Sequence, residues 1–229
     1  MENDISVLRW GGLAGILAFI VWIVELPIYG SIDPFTSDGL MRFPDVKATL
    51  GLSTILMMTI AILSIALVLA LYRTLRGANM AFALFGGVFG VIGYIVTALG
   101  DASTFWAFAP LSNLYHDPAT TPEAQATVVI LWETTQGTVH TFFFVGGLFT
   151  MLCFIALGVA MLGAPAFGRR FGGVSIILGV IGILGVVASL FITGDIGPQV
   201  LGISVFANII FLPLFGWKLF SMSRDTKVS

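Results

Sequence analysis

The sequence predicts an all-α integral membrane protein, a bundle of six transmembrane helices with both termini in the cytoplasm. Of its 229 residues, 58% are hydrophobic and only 10% are charged, and the mean hydropathy is +1.04. Soluble domains carry roughly 25% charged residues, so a chain this apolar requires a bilayer as its solvent. The net charge of −2 gives no reason to expect nucleic acid as a partner. The single cysteine, Cys153, excludes an intrachain disulfide and fits a small buried hydrophobe.

Six apolar segments are long enough to cross about 30 Å of hydrocarbon, which takes about 20 helical residues. The first is preceded by Glu2 and Asp4 and by no basic residue, so we expect a retained helix and not a cleaved signal. The fourth is too long for one span, and we expect its outer part to project beyond the membrane or to bend at Gly137 or Gly146-Gly147. A single transmembrane domain results, with helices at about 7–29, 48–72, 78–100, 122–162, 172–193 and 198–220.

The basic residues predict the orientation, because short loops rich in Lys and Arg stay in the cytoplasm. Of the ten Lys and Arg residues, only Arg42 and Lys47 fall on the outer side when both termini are inside. We therefore expect a multi-pass protein of the plasma membrane. The basic residues on the inner side are Arg9, Arg73, Arg76, Arg169, Arg170, Lys218, Arg224 and Lys227.

An outer loop rich in aromatic residues is expected at 101–120. It contains Phe105, Trp106, Phe108 and Tyr115. Such side chains favour the headgroup level of a bilayer. The loop therefore either anchors the protein at the interface or caps the outer end of the bundle.

Glycine recurs in one pattern, an aromatic residue followed by two glycines and an aliphatic residue. It occurs at 10–13, 85–88 and 171–174, in each case early in a helix that runs outward. The pattern fits either a two-helix unit repeated three times in parallel or simple close packing of helices. Gly11-x3-Gly15 and Gly86-x3-Gly90 have the spacing of close crossings. Such faces would also permit a homo-oligomer or a larger membrane complex.

The candidate functional residues lie near the outer ends of the predicted helices. Glu133, Gln136 and His140 are three and four residues apart, so they share one helix face. Glu25 interrupts an apolar run, and a carboxylate there needs a partner, a proton or a wet cavity. Asp101 ends the third predicted helix. We expect Glu25, Glu133 and His140 to edge one outward-facing pocket. Asp101, Gln136 and Trp132 are further candidates for ligand binding or proton titration.

Each candidate also has a structural explanation. Glu133 can lie in water above the membrane, where a charge costs little, and Asp101 can be a simple helix-end acid. Glu25 can extend to the outer surface. Asn208, five residues before Pro213, can satisfy backbone groups that the proline frees. A metal held by Glu25, Glu133 and His140 is chemically possible. The sequence indicates no particular cofactor.

Three stretches resemble a large bacterial group of six-helix membrane proteins, the family named domain of unknown function 4386. The segment ALVLALYRTLRGANMAFA, residues 66–83, is similar to that family's second helix, short basic turn and third helix. Residues 149–164 and 171–185 are similar to its glycine-rich fourth and fifth helices. The resemblance implies a six-helix membrane protein and supplies no catalytic residues.

Three functional hypotheses follow. The first is a binding or accessory protein, with an outward-facing pocket for a lipid-like or small apolar ligand or for a partner helix. The second is a small proton-coupled transporter in which Glu25 titrates. The third is a membrane enzyme that uses Glu133 and His140 as acid and base.

Overall fold

A computed structural model describes residues 2–30, 38–189, 191 and 196–225, with side chains described for 5–28, 38–189, 191 and 202–224. These residues form six helices and no strand, and all six helices are long and apolar enough to cross a membrane. The predicted all-α fold with six membrane-length helices is therefore confirmed, and the cytoplasmic position of the termini stays a prediction. The helices are α1 (Glu2–Gly30), α2 (Gly39–Leu75), α3 (Met80–His116), α4 (Pro122–Leu162), α5 (Gly168–Ala188) and α6 (Ile196–Asp225).

The helices form a ring in chain order. Each packs against its neighbours in the sequence, and α6 closes the ring against α1. Contacts of α2 with α4 and α6 cross the interior. Because consecutive helices alternate in direction, the first turn of α1 and the last turn of α6 lie at the same end, which we call the terminal end. Of the eight basic residues assigned to this side, Lys227 lies outside the described residues.

Glycine brings helix backbones into direct contact at several crossings. A Cβ added to Gly93 of α3 would lie 3.0 Å from the Gly146 carbonyl oxygen of α4, and the same distance separates a Cβ on Gly146 from the Gly93 oxygen. Thr97 and Thr150 stand one turn further along their helices, and their hydroxyls donate to the carbonyls of Gly93 and Gly146. The crossing is thus a reciprocal pair of Gly-x3-Thr sequences.

The repeated glycine pairs occupy comparable positions in α1, α3 and α5. A Cβ on Gly11 would meet α2, and one on Gly12 would meet α6. The pair in α3 likewise fits between α2 and α4, whereas in α5 only Gly172 is enclosed and Gly173 faces open space. Close packing at the two Gly-x3-Gly sequences is confirmed. The threefold repeat stays a prediction.

The main hydrophobic core fills the centre of the ring. Phe154 of α4 stacks on Phe211 of α6 with ring centroids 3.8 Å apart, and Phe211 in turn contacts Phe215. Cys153 is fully buried beside Gly90, as expected for a small hydrophobe. This core also contains Leu67, Leu71, Leu157, Met161, Leu212 and Leu219.

The three helices α2, α3 and α4 are longer than a membrane requires. At 1.5 Å per residue, their 37, 37 and 41 residues extend about 55–60 Å, against about 30 Å of hydrocarbon. We expect this surplus length to project from the membrane at the end opposite the terminal end, which we call the extended end. The fourth segment is one continuous helix with no break at Gly137 or Gly146.

Two predicted boundaries were wrong. Helix α2 begins at Gly39 and not near Ala48, because Pro44 removes only one hydrogen bond and the first turns are buried through Leu40 and Phe43. Helix α3 continues to His116, so 101–116 is helical and not loop. Pro110 is tolerated inside α3 because a proline removes only one backbone hydrogen bond. The fifth helix was predicted to reach about residue 193. Helix α5 ends at Ala188, and residues 190 and 192–195 lie outside the described residues.

A second hydrophobic cluster holds the extended end together. Trp132 stacks on Phe108 with centroids 4.2 Å apart and meets Phe43 edge-on at 5.7 Å. The aromatic residues of the expected outer loop therefore divide between two roles. Phe108 is buried in the cluster, whereas Trp106 is 70% exposed. This extended-end cluster consists of Leu40, Phe43, Leu50, Phe108, Ala109, Val128 and Trp132.

We expect Gly93→Ala to destabilise the protein. Its new Cβ would lie 2.7 Å from the Thr150 nitrogen, so α3 and α4 must separate, at a cost of about 1–3 kcal/mol. Gly173→Ala is the matched control, because that glycine meets nothing within 4 Å. Thermal unfolding in mild detergent measures both. Equal melting temperatures for the two variants would contradict the crossing.

We expect Trp132→Ala to destabilise the extended end by roughly 3–5 kcal/mol, the usual cost of emptying a buried aromatic site. Trp106→Ala removes the same side chain from an exposed position and should change stability little. Hydrogen exchange followed by mass spectrometry resolves the two ends of the molecule. Faster exchange in 39–50 and 101–116 in the Trp132 variant alone is the expected result; unchanged exchange there argues against the cluster.

Candidate functional site

The strongest candidate site joins Glu25 of α1, Ser53 of α2 and Asp101 of α3, which we call the acidic site. Glu25 is fully buried, and Ser53 and Asp101 are 2% and 8% exposed. The Ser53 hydroxyl donates to Oε1 of Glu25 at 2.6 Å. Asp101 lies close enough to Glu25 for their charges to interact. Three consecutive helices thus bring two carboxyl groups and a hydroxyl to one place.

The acidic site lies at the membrane boundary of the extended end. Counting about 20 residues from Leu75 along α2, or from Met80 along α3, reaches the depth of Ser53 and Asp101. One turn further out, the neighbours of all three residues, Ile28, Leu50 and Phe105, belong to or pack on the extended-end cluster. One turn further in, Trp22, Met57 and Ala98 belong to or pack on the main core. The site is enclosed by apolar layers on both sides.

The acidic site contains polar atoms that the described residues do not satisfy. Oε2 of Glu25 and Nε1 of Trp22, one turn apart on α1, have no hydrogen-bond partner among the described residues. Among the described residues, neither Glu25 nor Asp101 forms an ion pair with Lys, Arg or His. The ion pair between Arg42 and Asp38, at 3.7 Å, lies elsewhere on the surface. An unsatisfied buried oxygen is unfavourable, so Oε2 of Glu25 is the atom of this site that lacks a donor.

Glu133, Gln136 and His140 lie elsewhere. They share one face of α4, as their spacing predicts, but Glu133 and His140 are exposed and Gln136 is half-buried. The buried positions of this segment are Trp132 and Val139. Glu133 stands 29 residues from Leu162, about 44 Å along the helix axis and beyond the hydrocarbon. The hydrogen-bond donor of Glu25 is therefore Ser53, and not a residue of the expected pocket edged by Glu25, Glu133 and His140.

The possible metal set of Glu25, Glu133 and His140 is also not brought together. In the described ranges, no group of three or more His, Cys, Asp or Glu side chains could hold a metal ion. The acidic site offers two carboxyl groups and one hydroxyl, all of them oxygen donors. Such a set suits a proton or a hard cation better than a soft metal ion such as Cu(I).

Asn208 belongs to a polar contact inside the main core. Its Oδ1 accepts a hydrogen bond from the Tyr94 hydroxyl at 2.9 Å, which links α6 to α3. Helix α6 continues past Pro213 to Asp225. Tyr94 is 3% exposed, so its hydroxyl needs a partner within the bundle. Asn208 therefore provides the hydrogen-bond acceptor for the buried Tyr94 hydroxyl of α3, a role that the sequence did not predict.

Ser53 and Trp22 are the site residues that sequence reasoning missed. Helix α2 carries several hydroxyl residues that fit simple helix packing, and Ser53 is one of them. Its depth is the signal that could have identified it, because Ser53, Glu25 and Asp101 lie at the same level when residues are counted from the terminal end. Trp22 could have been found from its i, i+3 spacing to Glu25.

Two shallow concavities lie nearer the terminal end. One, of about 290 Å³, is an apolar groove between α2 and α3 lined by Leu69, Tyr72, Leu84, Gly87, Val88, Val91 and Ile92. The other, of about 240 Å³, is lined by Arg9, Phe220, Ser223 and Arg224 of α1 and α6.

No family model, curated protein or solved structure matches the chain. The resemblance to the six-helix family stays a prediction, and the residues of the acidic site are the basis for a functional argument.

We expect Ser53→Ala to lower the free energy of unfolding by about 1–3 kcal/mol, because the buried Glu25 carboxyl loses its donor. A double-mutant cycle with Glu25→Met isolates the pair. In the Glu25→Met background, the serine substitution should cost much less. Thr59→Ala is the control, since that hydroxyl binds only the Ile55 carbonyl of its own helix. An equal cost in both backgrounds would show that the hydrogen bond contributes nothing.

Proposed function

We propose that the protein is a small proton-coupled membrane carrier in which Glu25 and Asp101 hold one proton between them. The observation that carries the proposal is the pair of buried carboxyl groups with no cationic partner among the described residues. Two adjacent negative charges in apolar surroundings are strongly unfavourable. A shared proton removes one charge and allows the remaining carboxylate to accept a hydrogen bond.

The contacts of Glu25 suggest where the proton sits. Ser53 already donates to Oε1, which leaves Oε2 as the unsatisfied oxygen. A proton on Oε2 converts that atom from an acceptor without a donor into a donor. Asp101 supplies the second carboxyl group of the proposed site, buried on α3. Ser53 then acts as a positioning residue, because it fixes which oxygen of Glu25 carries the proton.

The position of the site agrees with exchange of a proton between the acidic site and the aqueous phase on one side of the membrane. The acidic site lies at the boundary of the extended end, separated from water by the extended-end cluster. If the termini are cytoplasmic, as the basic residues predict, this end faces the outside of the plasma membrane. A proton would then enter from outside when the projecting segments of α2, α3 and α4 move apart.

The first test is infrared spectroscopy of the reconstituted protein across a pH series. Wild type should show a carboxylic acid C=O band that titrates and shifts in D₂O, and Glu25→Gln and Asp101→Asn should each remove or displace it. Glu133→Gln is the matched control, because Glu133 is exposed. A band unchanged in both site variants would overturn the proposal. Loss of the band on adding NaCl would assign the site to Na⁺ and also overturn the proton assignment.

A lipid-binding role is the second candidate, and the groove between α2 and α3 favours it. The groove is apolar and lies within the hydrocarbon depth, so it fits an acyl chain. This would be the lipid-like ligand of the binding hypothesis, at a different place from Glu133 and His140. Native mass spectrometry should then detect a retained lipid that is lost when Val88→Trp fills the groove and kept in Ile55→Trp, an exposed site elsewhere on α2. Equal retention would exclude the groove.

A further inference from the structure

Two arginines from opposite ends of the chain meet at the terminal end. Arg9 lies near the start of α1 and Arg224 near the end of α6, and both line the concavity of about 240 Å³. Phe220 and Ser223 of α6 complete the lining. The two guanidinium groups therefore face one shared space although 215 residues separate them in the sequence.

The close crossing of α1 and α6 fixes this arrangement. A Cβ on Gly12 would lie 2.6 Å from the Phe220 nitrogen, and one on Gly216 would lie 2.9 Å from the Gly12 oxygen. Arg9 is one turn from Gly12, and Arg224 is one turn from Phe220. Because the backbones touch at the glycines, the positions from which both arginine side chains extend are fixed relative to each other.

The lining offers donors to an anion. Arg9 and Arg224 are exposed, and within the described side chains neither forms an ion pair. The hydroxyl of Ser223 donates to the Phe220 carbonyl at 2.7 Å, so the arginines supply the charged donors. Each guanidinium can give two parallel hydrogen bonds to phosphate oxygens, a geometry that lysine lacks.

Two tryptophans mark the depth of the concavity. Trp10 follows Arg9 on α1, and Trp217 lies one turn before Phe220 on α6; they are 66% and 62% exposed. Exposed tryptophans favour the level of lipid headgroups. The arginines therefore stand where the phosphates of a bilayer leaflet lie. Basic pockets between helices at the cytoplasmic side are suited to anionic headgroups.

We propose that Arg9 and Arg224 together bind one phosphate group, presented by the headgroup of an anionic phospholipid. Phe220 packs beneath the phosphate and contacts the glycerol and the start of the acyl chains. The site is separate from the acidic site, which lies near the opposite membrane boundary. Binding would hold the first and last helices of the ring together at the point where the ring closes.

The test is a lipid titration of the full chain in mild detergent, followed by native mass spectrometry. The probes are phosphatidylglycerol, phosphatidylcholine and inorganic phosphate. Wild type should retain one phosphatidylglycerol and bind phosphatidylcholine at least tenfold more weakly. Arg9→Gln and Arg224→Gln should each weaken phosphatidylglycerol binding roughly tenfold or more, which is about 1.4 kcal/mol. Arg170→Gln, an exposed arginine at the same end on α5, should leave binding unchanged.

Arg9→Lys and Arg224→Lys separate geometry from charge. They keep the charge and lose the paired hydrogen bonds, so we expect partial loss. An equal loss in Arg170→Gln would indicate a general charge effect and overturn the site, as would the absence of any retained phosphatidylglycerol. Inorganic phosphate that displaces the lipid at equal concentration would overturn the lipid as the source. Circular dichroism of each variant confirms folding, and a variant that does not fold is replaced by its lysine counterpart.

Discussion

Direct contact between helix backbones at glycine is the constraint on which the rest of this structure depends. Lipid tails are as apolar as the side chains they would replace, so helices in a bilayer associate through close packing and not through hydrophobic exclusion. The reciprocal contact of Gly93 and Gly146 holds α3 on α4, and that of Gly12 and Gly216 holds α1 on α6. Asp101 stands about two turns beyond the first contact and Arg9 one turn from the second. The backbones that carry Asp101 and Arg9 are therefore positioned by contacts that involve no side chain.

The same solvent explains how the polar side chains are used. Most threonine hydroxyls in the bundle donate a hydrogen bond to a carbonyl of their own helix, as at Thr97 and Thr150. They therefore need no hydrogen-bond partner on a neighbouring helix. Glu25 cannot do this, because a carboxylate accepts bonds and the helix interior offers no free donor. Its one donor, Ser53, comes from another helix. Burying an acid in this position costs stability, and this cost makes Glu25 the first residue to test for function.

The sequence was sufficient for the six helices, because apolar length and the distribution of charge are read directly from composition. It was insufficient for the extended end. Asp101 and Pro110 resemble loop residues when helices are expected to stop at the membrane, and Phe108 resembles an interface anchor. In the structure, Phe108 faces Trp132 in a small water-side core. That partnership depends on three helices projecting together, which no local pattern in one helix reveals. Ser53 was missed for the same reason, because only its hydrogen bond to Glu25 on another helix identifies it as a site residue.

The position of the acidic site between two apolar layers limits how it can open. Ile28, Leu50 and Phe105 each lie one turn outward from a site residue and pack in or against the extended-end cluster. The projecting parts of α2 and α3 must shift relative to α1, and Trp132 of α4 resists that shift through its contacts with Phe43 and Phe108. In the proposed carrier, the aromatic cluster would act on proton access through the stability of the extended end.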